Sequence, residues 1–304
     1  PFAVIGLNFL KAQGGDSMKS IAVYNQKGGV AKTTTAVNIA AGILMHKPEA
    51  RVLLIEADSQ GSIKTYFRLK HSEATASFAS FLVEGQSINA ASVNQIDVSN
   101  GSTVDVLLAS KRLSEADTRM VAFPRREETL RVRFKSLGVT EWDYVVIDCA
   151  PSLNTVTQNV LTYVDHLIIP ATMDPFALPG ISSVLAQVKV IEDVYERRIN
   201  VLGVLPTIFD QRPTVTRDIY STVIDHFKDR VRIFEPVGID STIKTAQLRQ
   251  KTIYHYLGKS RAAEQYLKFT REVLELVDGI QPQSPVVPKQ KSRGKKGALN
   301  EATA

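Results

Sequence analysis

Cysteine is almost missing from this chain: Cys149 stands alone among 304 residues. One thiol builds no intramolecular disulfide framework and supplies neither a cysteine metal cage nor the paired ligands of an iron–sulfur cluster, which fits a reducing interior such as the cytoplasm. Long apolar runs are missing too, since none reaches the roughly 18 residues that a membrane span needs. Tryptophan occurs once, and the five histidines show no metal-ligand spacing. Charge of either sign is in small excess only: 37 Lys and Arg against 31 Asp and Glu leave +6 and an isoelectric point near 9.3. That balance favours contact with nucleic acid or an anionic surface without establishing it. What is plentiful is apolar content, 44% of the chain, enough for a large core in one domain or at most two.

The two ends read differently from the body. Residues 1–17 (PFAVIGLNFLKAQGGDS) start with proline and precede Met18, after which a strand begins at once. The expectation is that Met18 is the start and that 1–17 is non-native or translated from upstream sequence; Gln13-Gly14-Gly15 can be encoded by purine-rich codons of the kind a ribosome-binding site contains. Residues 281–304 carry three prolines, five basic residues and one acid, a composition expected to be disordered. The tail's +4 accounts for most of the excess charge, so a basic face on the 18–280 domain has to come from segregation of charge.

Apolar runs of strand length recur at 21–25, 52–57, 104–109, 144–149, 166–171 and 201–208. Rich in Val, Ile and Leu without clean alternation, they have the character of strands buried on both faces of a parallel sheet. Helix-length stretches lie between them: 32–45, 153–163, 178–195 and 214–227, with a last one at about 260–277 that packs back on the sheet. Repeated β-α units predict a doubly wound α/β fold, mostly parallel, with helices on both faces.

The first strand runs straight into QKGGVAKTTTAVNIAAGIL. Strand, glycine loop, helix is the context in which backbone N–H groups cradle an anion. Gly28 and Gly29 let the backbone approach a phosphate, Lys32 reaches the β- and γ-phosphates of a nucleotide, and the Thr33 hydroxyl reaches Mg²⁺. The bland alternative is a turn with exposed lysines. Two more strand ends point to the same edge: YVVIDCAPS brings Asp148, which can hold Mg²⁺ through water, and VLLIEADSQGS brings Glu56 and Asp58.

These segments together resemble the ParA/MinD family of deviant Walker A P-loop ATPases, closest to its partition branch. KGGVAKTT resembles the family's phosphate loop, VLLIEADSQGS its second motif, and WDYVVIDCAPSLNTVTQNVL its Walker B strand and following helix. DHLIIPATMDPFALPGISSV and NVLGVLPTIFDQRPTVTRDIY resemble later family segments, so the likeness spans about 18–279. It implies ATP and Mg²⁺ as cofactors. Nucleotide contacts are implied for Lys27, Gly28, Gly29, Val30, Ala31, Lys32, Thr33 and Thr34, with Asp148 and Pro206; Mg²⁺ contacts, partly through water, for Thr33, Asp58 and Asp148. Lys27 is implied as the signature lysine that crosses an ATP-sandwiched homodimer to the partner subunit's phosphates, and Asp58 as the residue that orients the attacking water. Phosphoryl transfer needs charge neutralisation and an in-line water more than covalent chemistry, so these roles are physically coherent.

Departures from the family pattern bear on rate. Ala31 replaces glycine before Lys32, and its Cβ disfavours positive φ, so the expectation is that the loop survives if Ala31 takes α-like dihedrals. Glu56 replaces an aspartate and is expected to add a methylene beside the Mg²⁺ shell; Ser59, Ser62 and Ala150 are further, milder changes. Slow basal hydrolysis is the expectation. The resemblance also implies non-specific DNA binding, nucleoid association and a ParB-like centromere-binding or adaptor partner that stimulates hydrolysis. Candidate phosphate contacts are Arg230, Arg232, Arg249, Lys251 and Arg261, with Arg212, Arg217, Lys228 and Lys259 beside them; each by itself is also an ordinary solvated charge. The charged stretch 111–137, broken by Pro124, reads as surface helix.

Three other readings stay open. A nucleoid-based positioning ATPase for a protein cargo, such as a chemoreceptor array or microcompartment, would be the same machine. A MinD-like membrane-cycling division ATPase calls for an amphipathic membrane helix where this chain has a Pro- and Lys-rich tail, so no stable membrane association is expected. A scaffold that binds nucleotide without hydrolysing it is the third, motivated by Ala31 and Glu56.

Overall fold

Apolar residues fall on both sides of every central strand, and the chain buries both sides. The computed structural model describes residues 18–70 and 75–279; the expectations for 1–17 and 281–304 lie outside the described residues. The strands are β1 (Lys19–Val23), β2 (Val52–Ala57), β3 (Asn94–Asp97), β4 (Thr103–Leu107), β5 (Tyr144–Cys149), β6 (His166–Thr172) and β7 (Asn200–Thr207). They form one sheet in the order β3-β4-β2-β5-β1-β6-β7. All neighbours are parallel except β3 and β4. The fold is a doubly wound α/β sheet. An edge segment continues it, with Ile233 and Gly238 bridging in parallel to Val204 and Phe209.

The helices are α1 (Lys32–His46), α2 (Ser62–Phe67), α3 (Ala116–Arg119), α4 (Thr129–Ser136), α5 (Thr155–Tyr163), α6 (Ala177–Tyr195), α7 (Thr214–Phe227), α8 (Ser241–Leu248), α9 (Ile253–Leu257) and α10 (Arg261–Val277). Two cores follow from strand alternation. Ala22, Leu53, Val145, Ile147 and Cys149 face α5, α6 and α7, whereas Ile21, Val23, Leu54 and Val146 face α1 and α10. Cys149 is a buried packing residue, and Trp142 is an anchor whose Nε1 donates to Asp105 at 2.8 Å. Helix α10 was expected to pack on the sheet; it lies against α1 and shares a core with Ile21, Leu54 and Val146. At Gly42 the two come so close that a Cβ would stand 2.7 Å from the Thr270 hydroxyl.

The differences from the sequence expectation are local. β1 ends at Val23, so Tyr24 and Asn25 already belong to the loop. The antiparallel edge strand β3 went unpredicted because NQID alternates too briefly to signal a strand. The 111–137 stretch is not one helix: α3 and α4 flank turns near Pro124, and α4 buries Leu130 and Phe134.

Candidate functional site

The carboxyl ends of β1, β5 and β2 lie side by side. Asp148 is in register with Val23 on one side and with Glu56 on the other. After β1 the chain turns through Gly29, at φ 74°, and enters α1 at Lys32. Nothing lies within 4 Å of where a Cβ would stand on Gly28 or Gly29, so the backbone there is open to a ligand. Lys32 is buried, and its ammonium folds back to donate to the Lys27 carbonyl at 2.8 Å. Burial lowers its pKa, while Asp148 and Asp58 pull the other way. Thr33 and Thr34 follow in the first turn of α1, half-buried.

Ala31 corrects the expectation directly. It has φ 61° and ψ 31°, the left-handed conformation that α-like dihedrals were expected to avoid. The loop keeps the shape a glycine would give it and bears the strain of a Cβ, on the order of 1 kcal/mol. Its carbonyl still accepts from the Thr35 N–H at 2.9 Å, so the helix starts normally.

Asp148 is fully buried, and neither carboxylate oxygen has a hydrogen-bond partner. The nearby Thr33 hydroxyl favours the charged form without completing a hydrogen bond to either oxygen. Burial pushes this carboxyl up to about 7, with Glu56 and Asp58 adding to the push and Lys32 opposing it. Buried carboxylates are rarely left bare, and those that are call for an explanation such as a missing ion. Asp58 sits half-buried in the turn after β2, where its Oδ1 accepts from the Gln60 N–H at 2.9 Å.

Glu56 does something else than expected. Its Oε1 accepts from the N–H groups of Ile63 (2.5 Å) and Lys64 (3.2 Å) at the start of α2, and its Oε2 from Ala109 N–H at 3.1 Å. Both oxygens are occupied by backbone, so the extra methylene serves to reach these donors and not a metal shell.

Sequence reading missed the residues that brace the loop. The Thr207 hydroxyl, at the end of β7, donates to the Val30 carbonyl at 3.0 Å. Pro206, already named as an expected nucleotide contact, precedes it; it is buried, and its carbonyl accepts from Val237 N–H at 2.8 Å. Asn25 donates to the Pro170 carbonyl at 2.8 Å and accepts from Lys27 N–H at 3.0 Å. Lys27 itself turns away from the loop to Thr172 and Asp174. Thr172 and Asp174 lie in a segment that resembles the family, but no spacing rule in the sequence marks them as partners of Lys27.

The basic candidates divide. Arg232 lies 3.4 Å from Glu272 and over the Phe234 ring, and Arg261 donates to the Ile239 carbonyl. Arg212 pairs with Asp210, and Arg217 donates to the carbonyls of Gln211 and Arg212. These four make local contacts within the fold, although Arg212 and Arg261 are exposed like the other candidates. Arg230, Arg249 and Lys251 are exposed. A cavity of about 1290 Å³ lies at the sheet's outer edge, lined by Phe209, Tyr220 and Arg261 among others, and includes none of the loop residues or Asp148.

The AAA domain family matches residues 18–201. Sporulation initiation inhibitor protein Soj of Bacillus subtilis is 32% identical over 259 residues, which is 84% of this chain and 98% of Soj. The chain belongs to the ParA/MinD family. Chromosome partitioning protein ParA of Caulobacter vibrioides is 30% identical over 261 residues, 84% of this chain and 94% of that one. In solved structures, cobyrinic acid a,c-diamide synthase of Mycobacterium smegmatis, with bound ATP analog and magnesium, is 26% identical with a TM-score of 0.69, covering 87% of this chain and 97% of that one. For a ParA/MinD protein the glycine loop, Asp148 and Asp58 fall at one sheet edge, where open α/β sheets bind ligands.

Proposed function

We propose that this protein is a ParA-type ATPase switch, which dimerises on ATP, holds DNA without sequence preference and partitions or positions a cargo. The observation that carries this reading is the bare, buried Asp148 carboxylate beside Thr33 and the buried Lys32. A buried acid with no protein partner, next to a glycine loop open to a phosphate, fits Mg²⁺ held by one carboxylate, one hydroxyl, water and phosphate oxygens. Mg²⁺, when bound, would neutralise charge on the phosphates. Lys32 holds the β- and γ-phosphates, the loop N–H groups orient them, and Asp58 positions the attacking water.

Lys27 serves a partner subunit's nucleotide, so that ATP joins two protomers and nucleotide state sets oligomeric state. Hydrolysis is slow, below about 1 s⁻¹, the low edge of ordinary turnover, and a ParB-like or adaptor partner stimulates it. The likeness to Soj and ParA supports partition of DNA as the task. Among the described residues no helix is long and apolar enough to cross a membrane.

The test compares sedimentation and DNA retention of wild type, Lys27→Ala and Asp58→Ala with ADP and with ATP. Asp58→Ala is expected to stay dimeric and DNA-bound in ATP, and Lys27→Ala to bind nucleotide without dimerising. Monomers under every condition would sink the switch.

A further inference from the structure

Lys27 is tied down at three points. Its N–H donates to Asn25, its carbonyl accepts from Lys32, and its ammonium leaves the loop altogether. The Nζ lies 3.1 Å from the Thr172 hydroxyl, pairs with the Asp174 carboxylate and stands 5.8 Å from the centroid of the Phe176 ring. These partners are braced among themselves. The Thr172 hydroxyl donates to Asp174 Oδ2 at 2.6 Å, and Phe176 N–H donates to Asp174 Oδ1 at 2.9 Å. The carboxylate is therefore fixed at both oxygens, independently of the lysine. Although burial pushes the Asp174 carboxyl up, Lys27, Thr172 and Phe176 N–H together hold it below the usual range.

A lysine held this way on its own subunit is unavailable to another. We propose that Asp174, assisted by Thr172 and Phe176, is a positioning residue that latches Lys27 in cis and so sets the ATP concentration at which the protein dimerises. The proposal rests on the reading of Lys27 as a lysine that acts across the dimer.

Exposure decides how strong the latch is. The two side chains are 35% and 33% exposed, so the pair is a partly solvated one. Pairs of that kind hold by a factor of about two to five, and two latches must open per dimer, so the bias on dimerisation is about fourfold to twenty-fivefold. Contacts from an ammonium to phosphate are charge-assisted and water-poor at a closed interface, strong enough to outbid such a pair. Lys32 links the two events. A phosphate that draws its ammonium forward takes away the hydrogen bond on the Lys27 carbonyl, one of the three ties.

Two measurements on the full chain test this. The first is the rate at which Lys27 is acetylated by a small amine-reactive ester without nucleotide, read by peptide mass spectrometry. The second is the ATP concentration for half-maximal dimer in sedimentation, at low and at high salt. Asp174→Asn is expected to speed Lys27 acetylation about twofold to fivefold and, because two ATP enter each dimer, to lower the ATP requirement by a similar factor of about two to five at low salt. Screening at about 1 M salt should close that gap, and Asp174→Glu should return both values toward wild type. Thr172→Val, which removes one brace and keeps the shape, should move both the same way by less. Unchanged acetylation in Asp174→Asn overturns the latch whatever dimerisation does. Faster acetylation with an equal or higher ATP requirement overturns its role as a threshold. If Lys27→Ala dimerises like wild type, the reading of Lys27 across the dimer has failed, and the threshold fails with it, while the acetylation result still reports the contact itself.

Discussion

Glu56 and Asp148 face each other in register across β2 and β5, both fully buried, yet one carboxylate is saturated by three backbone N–H groups and the other is bare. Neighbouring acids with opposite partners have opposite tasks: Glu56 ties the start of α2 and the loop after β4 to the sheet, and Asp148, on the proposed reading, is kept for a ligand.

The contrast predicts substitutions of opposite sign. Asp148→Asn should stabilise the nucleotide-free protein by about 1–2 kcal/mol, because an uncompensated buried charge is removed at constant shape. The same change should abolish Mg²⁺-dependent hydrolysis. Glu56→Gln should destabilise by about 1–3 kcal/mol, because its amide sets a donor against backbone donors. Urea unfolding of both variants at mildly alkaline pH checks this, and a loss of similar size in both would refute the division of labour.

Thr207 is the brace between the phosphate loop and β7, and it is separable from chemistry. Thr207→Val keeps the volume and leaves the Val30 carbonyl without its hydroxyl donor. The expected cost is about 1–2 kcal/mol in unfolding free energy. ATP affinity should fall as well, since the loop loses its fixed position, and calorimetric titration with ATP measures that. Full affinity in a destabilised variant would show that the brace does not shape the loop.

Asp278, just past α10, collects Lys19 and Lys47 at 2.7 and 2.6 Å and the Tyr144 hydroxyl at 2.9 Å. Burial pushes its carboxyl up, but these three partners outweigh burial and hold it below the usual carboxylate range. The folded pKa is below the unfolded one, so in that window the unfolded chain binds more protons and stability rises with pH. The contribution is complete above the unfolded value of about 4 and is lost as pH falls through the lower folded value. Asp278→Asn should cost about 1–3 kcal/mol at neutral pH, with the gap to wild type shrinking in acid. A gap that stays constant down to about pH 3 would mean that packing, not charge, is what Asp278 supplies.

Much of this was legible beforehand, for a physical reason. The strands of the sheet's centre are buried on both faces and announce themselves as apolar runs, and the glycine loop stands between a strand and a helix that both read clearly in the sequence. The edge strand β3 and the turns around Pro124 have no periodicity to read. At Ala31 and Ile208 tertiary structure overrides preference: both take left-handed dihedrals, φ 61° and 51°, at the loop and directly after its Thr207 brace. A β-branched residue there is a genuine outlier, and such strain gathers at functional sites. Partners such as Asp174 for Lys27, 147 residues apart, are a product of topology and no local pattern encodes them.

The last prediction separates bases that hold the fold from bases that hold DNA. Arg249 and Lys251 are exposed on either side of Gln250, between α8 and α9, and Arg230 is exposed beyond α7. If these touch phosphates, each neutralising substitution should weaken binding to any sequence and reduce the slope of log affinity against log salt by about 1. Arg232 and Arg261 each have a partner on their own chain, Glu272 and the Ile239 carbonyl. Arg232→Ala and Arg261→Ala should therefore lower the unfolding midpoint while leaving the salt slope unchanged. Filter binding of the ATP-bound protein to random duplex over a salt series reads the slopes, and thermal unfolding reads the midpoints. A slope change in the second pair with none in the first would move the DNA face to the outer edge of the sheet, beside the cavity that Arg261 lines.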